Sequence, residues 1–455
     1  MFLESSLLRE HSAKLLFQYI QSILKGSQDF LNALFGILLS ALFIFTTLAL
    51  FFAPVFILIF APGFYFDIQK QDLAVSLLRI MFPYLALISL VAFAAGIQNS
   101  HNKFSIPALT PLIFNLSLIG SAWLVAPKID IPVMALAWGV LLAGFLQLLF
   151  QIAPLASIKK IPVPKIDFQN PGVKKFFILI LPAIVAGGIA QINLLVDTIF
   201  ASLLITGSPT WLYVSDRLIQ FPMGIFAIAV GTVLLPGLSK SYAQKEIKAF
   251  TEQLENAFKL IFFLAIPSLI GLILFASPLL ATIFQRGAFL WTDVQQASLS
   301  LIGFSLGLPF FMAMKVLVPA FFSRQNTKTP MLIAFLSLLI NVCLNYLLAF
   351  YFGLGHLGLA IASSISAIVS VMILSFILKT EGLISFSGIF SAFSFKVLIA
   401  SVALISFLSI FNQYFDFELF TEVQRLLHLG AAVIGSLIIY FGVSFLLGVR
   451  TTDFK

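Results

Sequence analysis

Apolar runs of twenty residues or more recur from residue 31 to residue 448, and they decide what this chain can become. An α-helix needs about twenty apolar residues to cross the hydrocarbon core of a bilayer. The runs are rich in Leu, Ile, Phe and Ala and do not alternate. That excludes an outer-membrane β-barrel, whose strands switch between lipid-facing and lumen-facing residues. Only 10% of the residues are charged, against about a quarter in a soluble domain. The expected fold class is therefore an all-α polytopic membrane protein.

Twelve spans are expected, at 31–60, 73–98, 104–126, 132–155, 175–205, 210–238, 250–284, 292–322, 329–351, 356–379, 391–412 and 424–448. Pro83, Pro111, Pro182, Pro222, Pro267 and Pro309 fall within them, so several spans should bend. Placing the N-terminus in the cytoplasm puts Lys103, Lys159, Lys160, Lys165, Lys174, Lys240, Lys245, Lys248, Arg324 and Lys328 in cytoplasmic loops. The opposite loops hold only Lys70, Lys128 and Arg286. This bias is the positive-inside pattern, with both termini cytoplasmic. It also accounts for the net charge of +8 without nucleic acid. The single cysteine, Cys343, lies in an apolar run and reads as inert packing, with no disulfide, zinc or redox role.

The most basic loop, IKKIPVPKIDFQNPGVKK, is also the longest Pro-punctuated connection and reads as an inter-lobe linker at 156–174. It separates an N-terminal lobe at 31–155 from a C-terminal lobe at 175–379, with a helix pair at 391–448 and a leading segment at 1–30. Its lysines suit anionic headgroups, although topology alone also accounts for them. An internal echo supports two lobes. FPYLALISLVAFAAGIQNSHNKFSIP (82–107) and LPFFMAMKVLVPAFFSRQNTKTP (308–330) each start at a proline, run one span, turn through a short basic loop and restart at a proline.

The stretches NKFSIPALTPLIFNLSLIG, ALAWGVLLAGFLQLLFQ, DTIFASLL, SDRLIQFPMGIFAIAVGTVLLPGLSKS, FQRGAF and FFSRQNTKTP resemble the MurJ (MviN) family of lipid II flippases, within the multidrug/oligosaccharidyl-lipid/polysaccharide exporter superfamily. The likeness runs in order from about residue 30 to 380 and continues more loosely to the end. It implies a two-lobed exporter fold with a C-terminal helix pair, and alternating access for the undecaprenyl-pyrophosphate-linked peptidoglycan precursor. Cell-wall synthesis enzymes are the expected partners and the bacterial inner membrane the expected location. The family has fourteen helices, with arginines on the first. Twelve spans here imply that the first helix and most of the second are not represented, and that residues 1–30 continue the second. A start placed too late or a truncated chain would each explain this.

Flipping needs no covalent chemistry, so no enzyme activity is expected, and no nucleophile–base pair or metal-ligand cluster is evident. The four histidines are widely spaced. Ionisable residues inside spans are the site candidates, because each is costly in lipid and must turn toward protein or water. Asp216 and Arg217 lie side by side in SDRLIQFP, about 100° apart on a helix. Arg217 suits bidentate phosphate binding, and Asp216 would orient it. Lys315 and Arg79 are further cargo-contact candidates, and Arg286 is a candidate outer gate residue. Structural anchoring, ion pairing or snorkelling would also account for each. Asp197, with Asn341, Asn345, Ser363 and Ser364, forms an oxygen-rich set suited to Na⁺, or to H⁺ at Asp197 alone. Interhelical hydrogen bonding is its bland explanation. No cofactor beyond a coupling ion is expected. The favoured function is lipid II flipping. The rivals are an O-antigen-type flippase, a drug/cation antiporter, and a non-transporting remnant or scaffold.

Overall fold

The computed structural model describes residues 28–385 and 392–454, with no strand among them. Most of the leading segment read at 1–30 lies outside the described residues. Among the described residues, eleven helical stretches are long and apolar enough to cross a membrane. The 32-residue helix Pro171–Ser202 occupies the position of the remaining expected span. The chain divides into two compact units at Gly188/Ile189, inside that helix and one element beyond the linker.

In the first unit, α1 (Gln28–Phe51) and α2 (Ala53–Phe60) form one span with a break at Phe52. Pro54 explains the break, since it has no N–H to offer the Leu50 carbonyl one turn back. Arg79 Nε donates to that carbonyl at 3.3 Å instead. Asp67 caps α3 (Ile68–Met81) by accepting from the Lys70 N–H at 3.1 Å, and it pairs with the Lys70 ammonium at 3.2 Å. The Lys70 backbone bond first, and then its side chain, hold the Asp67 carboxyl below its ordinary range. After α4 (Pro83–Ser100) and α5 (Ser105–Gly120), α6 (Pro132–Ser157) packs against α3, α4 and α5. Gly144 lets α4 come close. Its missing side chain leaves room for the Tyr84 ring and Leu87. Gln98, Gln151 and Thr110 link α4, α6 and α5 by buried hydrogen bonds.

The linker is not a free tether. Val163 N–H donates to Asn32 Oδ1 at 2.8 Å, Lys165 N–H to the Asn32 carbonyl at 3.1 Å, and Gln28 Nε2 to the Ile161 carbonyl at 2.8 Å. A side chain at Gly36 would collide with the Lys165 backbone, so glycine there admits the strap against α1. The helix α7 (Pro171–Ser202) follows and leads into the second unit.

That unit contains α8 (Ser208–Pro222), α9 (Ile228–Ala243), α10 (Ile247–Leu274), α11 (Ala276–Phe284), α12 (Trp291–Phe322), α13 (Lys328–Leu344), α14 (Gly355–Thr380), α15 (Ala392–Tyr414) and α16 (Glu422–Leu446). Helix α12 is its axle, in contact with α8, α9, α10, α11 and α14. Gly303 and Gly307 on α12 let α14 come close at Ala360 and Ser364. Wide π turns continue α8 at Met223–Ala227 and α13 at Asn345–Tyr351. The pair α15–α16 is welded to α10 at two carbonyls that prolines have freed. Tyr440 OH donates to Phe263 O, released by Pro267, and Asn412 Nδ2 donates to Leu274 O, released by Pro278; both distances are 2.7 Å. Arg425 is buried, and each of its three nitrogens donates a hydrogen bond, to the carbonyls of Phe417 and Glu418 and to Gln285 Oε1.

Helix ends show one recurring device. In the first unit, Asn102 and Lys159 adopt positive φ just past a helix, and so do Lys245, Gln325, Gly382 and Gly448 in the second. The next residue's N–H then returns to the carbonyl five positions back. The bonds are Lys103 to Gln98, Lys160 to Leu155, Glu246 to Ser241, Asn326 to Phe321, Leu383 to Leu378 and Val449 to Ser444, all at 2.9–3.0 Å. Each of these ends is one expected to face the cytoplasm. The two echoed segments share the motif, at Asn102 and Gln325.

Cys343 departs from its reading as packing. It is free and exposed on α13, the least enclosed of the spanning helices.

Candidate functional site

The end of α7 and two helices of the second unit build one polar cluster inside apolar spans. Asp197 sits near the end of α7. Asn341 and Asn345 are one turn apart on α13, and Ser363 is on α14. Asn345 Nδ2 donates to Asp197 Oδ1 at 2.8 Å and to Asn341 Oδ1 at 3.0 Å. Asn341 Nδ2 donates onward to Ser363 Oγ at 3.2 Å. Both asparagines are fully buried. Asn345 has spent both amide hydrogens, and its own carbonyl oxygen is buried with no partner. An unfilled acceptor beside a carboxylate, an amide oxygen and a hydroxyl is a set that a hard monovalent cation can complete. A proton on Asp197 would instead supply the missing donor. Asn345 is also where the π turn of α13 begins, which widens the helix at the point of convergence.

Ser364 does not join this cluster. Its hydroxyl donates to the Gly303 carbonyl at 2.7 Å and serves the α12–α14 contact. One helical position rotates a side chain by about 100°, so neighbouring serines face different elements.

The cluster opens on a cavity of about 590 Å³ lined by residues of α7, α8, α12 and α14. Asp216 contributes a second carboxylate to its wall, accompanied by Gln220, Asn193, Tyr213 and Phe311. Asn193 Oδ1 is buried without a partner, and Gln220 Nε2 donates to Asp216 Oδ1 at 3.4 Å. Neither residue was singled out from the sequence. Each lies one helical turn from a carboxylate that was, at Asp197 and Asp216, and that spacing could have found both. None of the described lining residues is Lys or Arg.

The predicted cations lie elsewhere. Arg217 is exposed, with its guanidinium over the Tyr213 ring at 4.8 Å from the centroid, and it forms no ion pair with Asp216 among the described residues. Lys315 is exposed on α12, and Gly231 of α9 closes against its backbone carbonyl, which Pro319 has freed. Arg79 stitches the α1–α2 break to α3 through Leu50 O. Arg286 pairs with Glu422 at the start of α16, at 3.8 Å with both side chains largely exposed. Such a pair contributes little stability, but it directs Arg286 toward the C-terminal pair. The described residues contain no group of three or more His, Cys, Asp and Glu placed to hold a metal ion.

Comparison with known proteins agrees with this architecture. The family model described as lipid II flippase MurJ matches residues 16–425. A probable lipid II flippase MurJ of Vibrio cholerae is 41% identical over 305 residues, which is 67% of this chain and 58% of that protein. The corresponding protein of Haemophilus influenzae is 37% identical over 394 residues, 84% of this chain and 76% of that one. The lipid II flippase MurJ of Burkholderia cenocepacia is 36% identical over 325 residues, with 63% of its length matched. The chain thus spans less than two thirds of the Vibrio and Burkholderia relatives. Among solved structures, an inward closed conformation of the lipid II flippase MurJ superposes with a TM-score of 0.76 at 26% identity, covering 95% of this chain and 90% of that one. An inward-facing multidrug transporter of the MATE family reaches 0.60 at 14% identity over 76% of this chain, a likeness of fold alone. A sequence pattern and a fold shared over so much of its length make this chain, a multi-pass protein of the inner membrane, a member of the MurJ lipid II flippase family.

Proposed function

We propose that this protein moves lipid II, the undecaprenyl-pyrophosphate-linked peptidoglycan precursor, from the cytoplasmic to the periplasmic leaflet by alternating access. The observation that carries this reading is the family match across residues 16–425, together with the structural likeness over 95% of the chain. Both termini face the cytoplasm in this reading, which the distribution of Lys and Arg supports. Arg217, Lys315 and Arg79 are the candidate contacts for the pyrophosphate, Asp216 is the candidate orienting group, and Arg286 supports the outer loops. The cluster of Asp197, Asn341, Asn345 and Ser363 holds the coupling cation, Na⁺ by its all-oxygen composition. Enzymes that use lipid II at the outer leaflet are the partners.

One observation favours a second reading, export of organic cations. The cavity beside Asp197 and Asp216 is acidic and aromatic, with no described cation in its lining. Complementation separates the two. The protein should restore lipid II export and growth to cells depleted of their own flippase, and should leave ethidium efflux unchanged. Ethidium efflux without growth rescue would replace the first reading with the second.

A further inference from the structure

The linker between the lobes shows a combination that its topological role does not need. Its backbone is held by Gln28 and Asn32, and it is admitted closely by Gly36. These three positions are spaced four apart on one face of α1 and cover about 12 Å of helix rise. The strap therefore runs beside the first turns of a membrane-spanning helix, not out in the solvent. With its main chain fixed, it turns apolar side chains outward: Val163 is 62% exposed, Ile166 66% and Phe168 63%. Phe177 and Ile178 extend this exposed apolar surface onto the first turns of α7. Around it stand Lys159, Lys160, Lys165, Lys174 and Lys175, with Asp167 as the one acid between residues 158 and 175.

A positive-inside loop needs only the lysines. It gives no reason to order an extended backbone and point Val, Ile and Phe away from the protein. Exposed apolar side chains interleaved with lysines at the edge of a bilayer are the chemistry of an interfacial anchor. The apolar groups enter the acyl boundary while the ammonium groups meet phosphates.

We propose that residues 159–178 form a docking strip for anionic phospholipid headgroups of the cytoplasmic leaflet. The assignment to that leaflet rests on the orientation given above. The docking itself does not depend on cargo transport. Pro162 and Pro164 keep the strip extended, and the α1 contacts set its depth. The strip thereby ties the first unit to the membrane surface through α1 and the start of α7.

The test uses the full chain in nanodiscs, without cargo, in a Cys343→Ser background. Spin labels at Val163→Cys and Phe168→Cys should be accessible to oxygen and shielded from a water-soluble nickel complex. Labels open to the nickel complex would overturn the proposal. Spin-labelled phosphatidylglycerol should associate with the protein in preference to spin-labelled phosphatidylcholine. Lys159→Gln, Lys165→Gln and Lys174→Gln should each weaken that preference roughly fivefold. A triple variant that is folded by circular dichroism and keeps the full preference would overturn the proposal as well. Gly36→Leu should lift the strip and expose the Val163 label to nickel; continued shielding would show that α1 does not set the depth. Symmetric nanodiscs contain no lipid II, so a failure of the flippase reading would leave every one of these results unchanged.

Discussion

Asn345 shows how one amide can organise a cavity. Its two hydrogens bind Asp197 and Asn341, 148 and 4 residues away, while its carbonyl oxygen stays buried and unfilled. An orphaned buried acceptor costs about 1–3 kcal/mol, so the site is strained until a cation or a proton arrives. Asp197→Asn removes the charge while preserving shape. Reconstituted vesicles containing this variant should lose sodium-dependent lipid II transport by at least about tenfold, the equivalent of one charge-assisted contact. Sodium dependence equal to the parent protein would dismiss Asp197 as the coupling group. Most of the cluster was legible because Asp, Asn and Ser stand out in apolar spans. Its limits are those of helical phase. Ser364 was grouped with Ser363 although one step turns it to Gly303, and Asn193 and Gln220 went unnoticed although one turn places them in the same cavity wall. Of the adjacent pair, only Asp216 lines the cavity, while Arg217 lies over the ring of Tyr213. Nothing in a one-dimensional pattern separates the two, because both are charged residues in an apolar run.

Helical elements were the most legible scale, since length and apolarity decide whether a segment can cross lipid. Several breaks were less visible. Pro54 and Pro278 interrupt spans that read as continuous, and their freed carbonyls are met by Arg79 and Asn412 from distant elements. The docking of the linker on α1 was likewise hidden, because it depends on backbone groups meeting Gln28, Asn32 and Gly36 across 129 to 133 residues. The helix-end motif makes its own prediction. Lys245 holds a left-handed backbone, which costs an L-residue with a side chain about 1 kcal/mol relative to glycine. Lys245→Gly should therefore stabilise the protein by about 1 kcal/mol and raise its melting temperature in detergent. A lower melting temperature would mean that the lysine's charge at the helix end outweighs the backbone strain.

At the scale of the whole molecule, the expected boundary fell at the linker, whereas the compact units meet at Gly188/Ile189. The linker belongs with the first unit because its backbone is hydrogen-bonded to α1, and composition alone gave no sign of that. The orientation can be tested on intact spheroplasts in the Cys343→Ser background. A cysteine replacing Arg286 should react with an impermeant maleimide added outside, while one replacing Lys245 should react only after lysis. The reverse pattern would invert the topology. The six repeated helix ends add a condition to any such inversion. Lys103, Lys159, Lys245 and Arg450 lie where helix carbonyls point outward, at the negative pole of each helix dipole. In the proposed orientation, the same charges that would retain a loop in the cytoplasm during insertion also neutralise helix poles in the finished protein. Moving them to the other loops to force an upside-down insertion would strip the helix ends of their counter-charges, so the inverted form would be selected against twice, once at the translocon and again in the folded state.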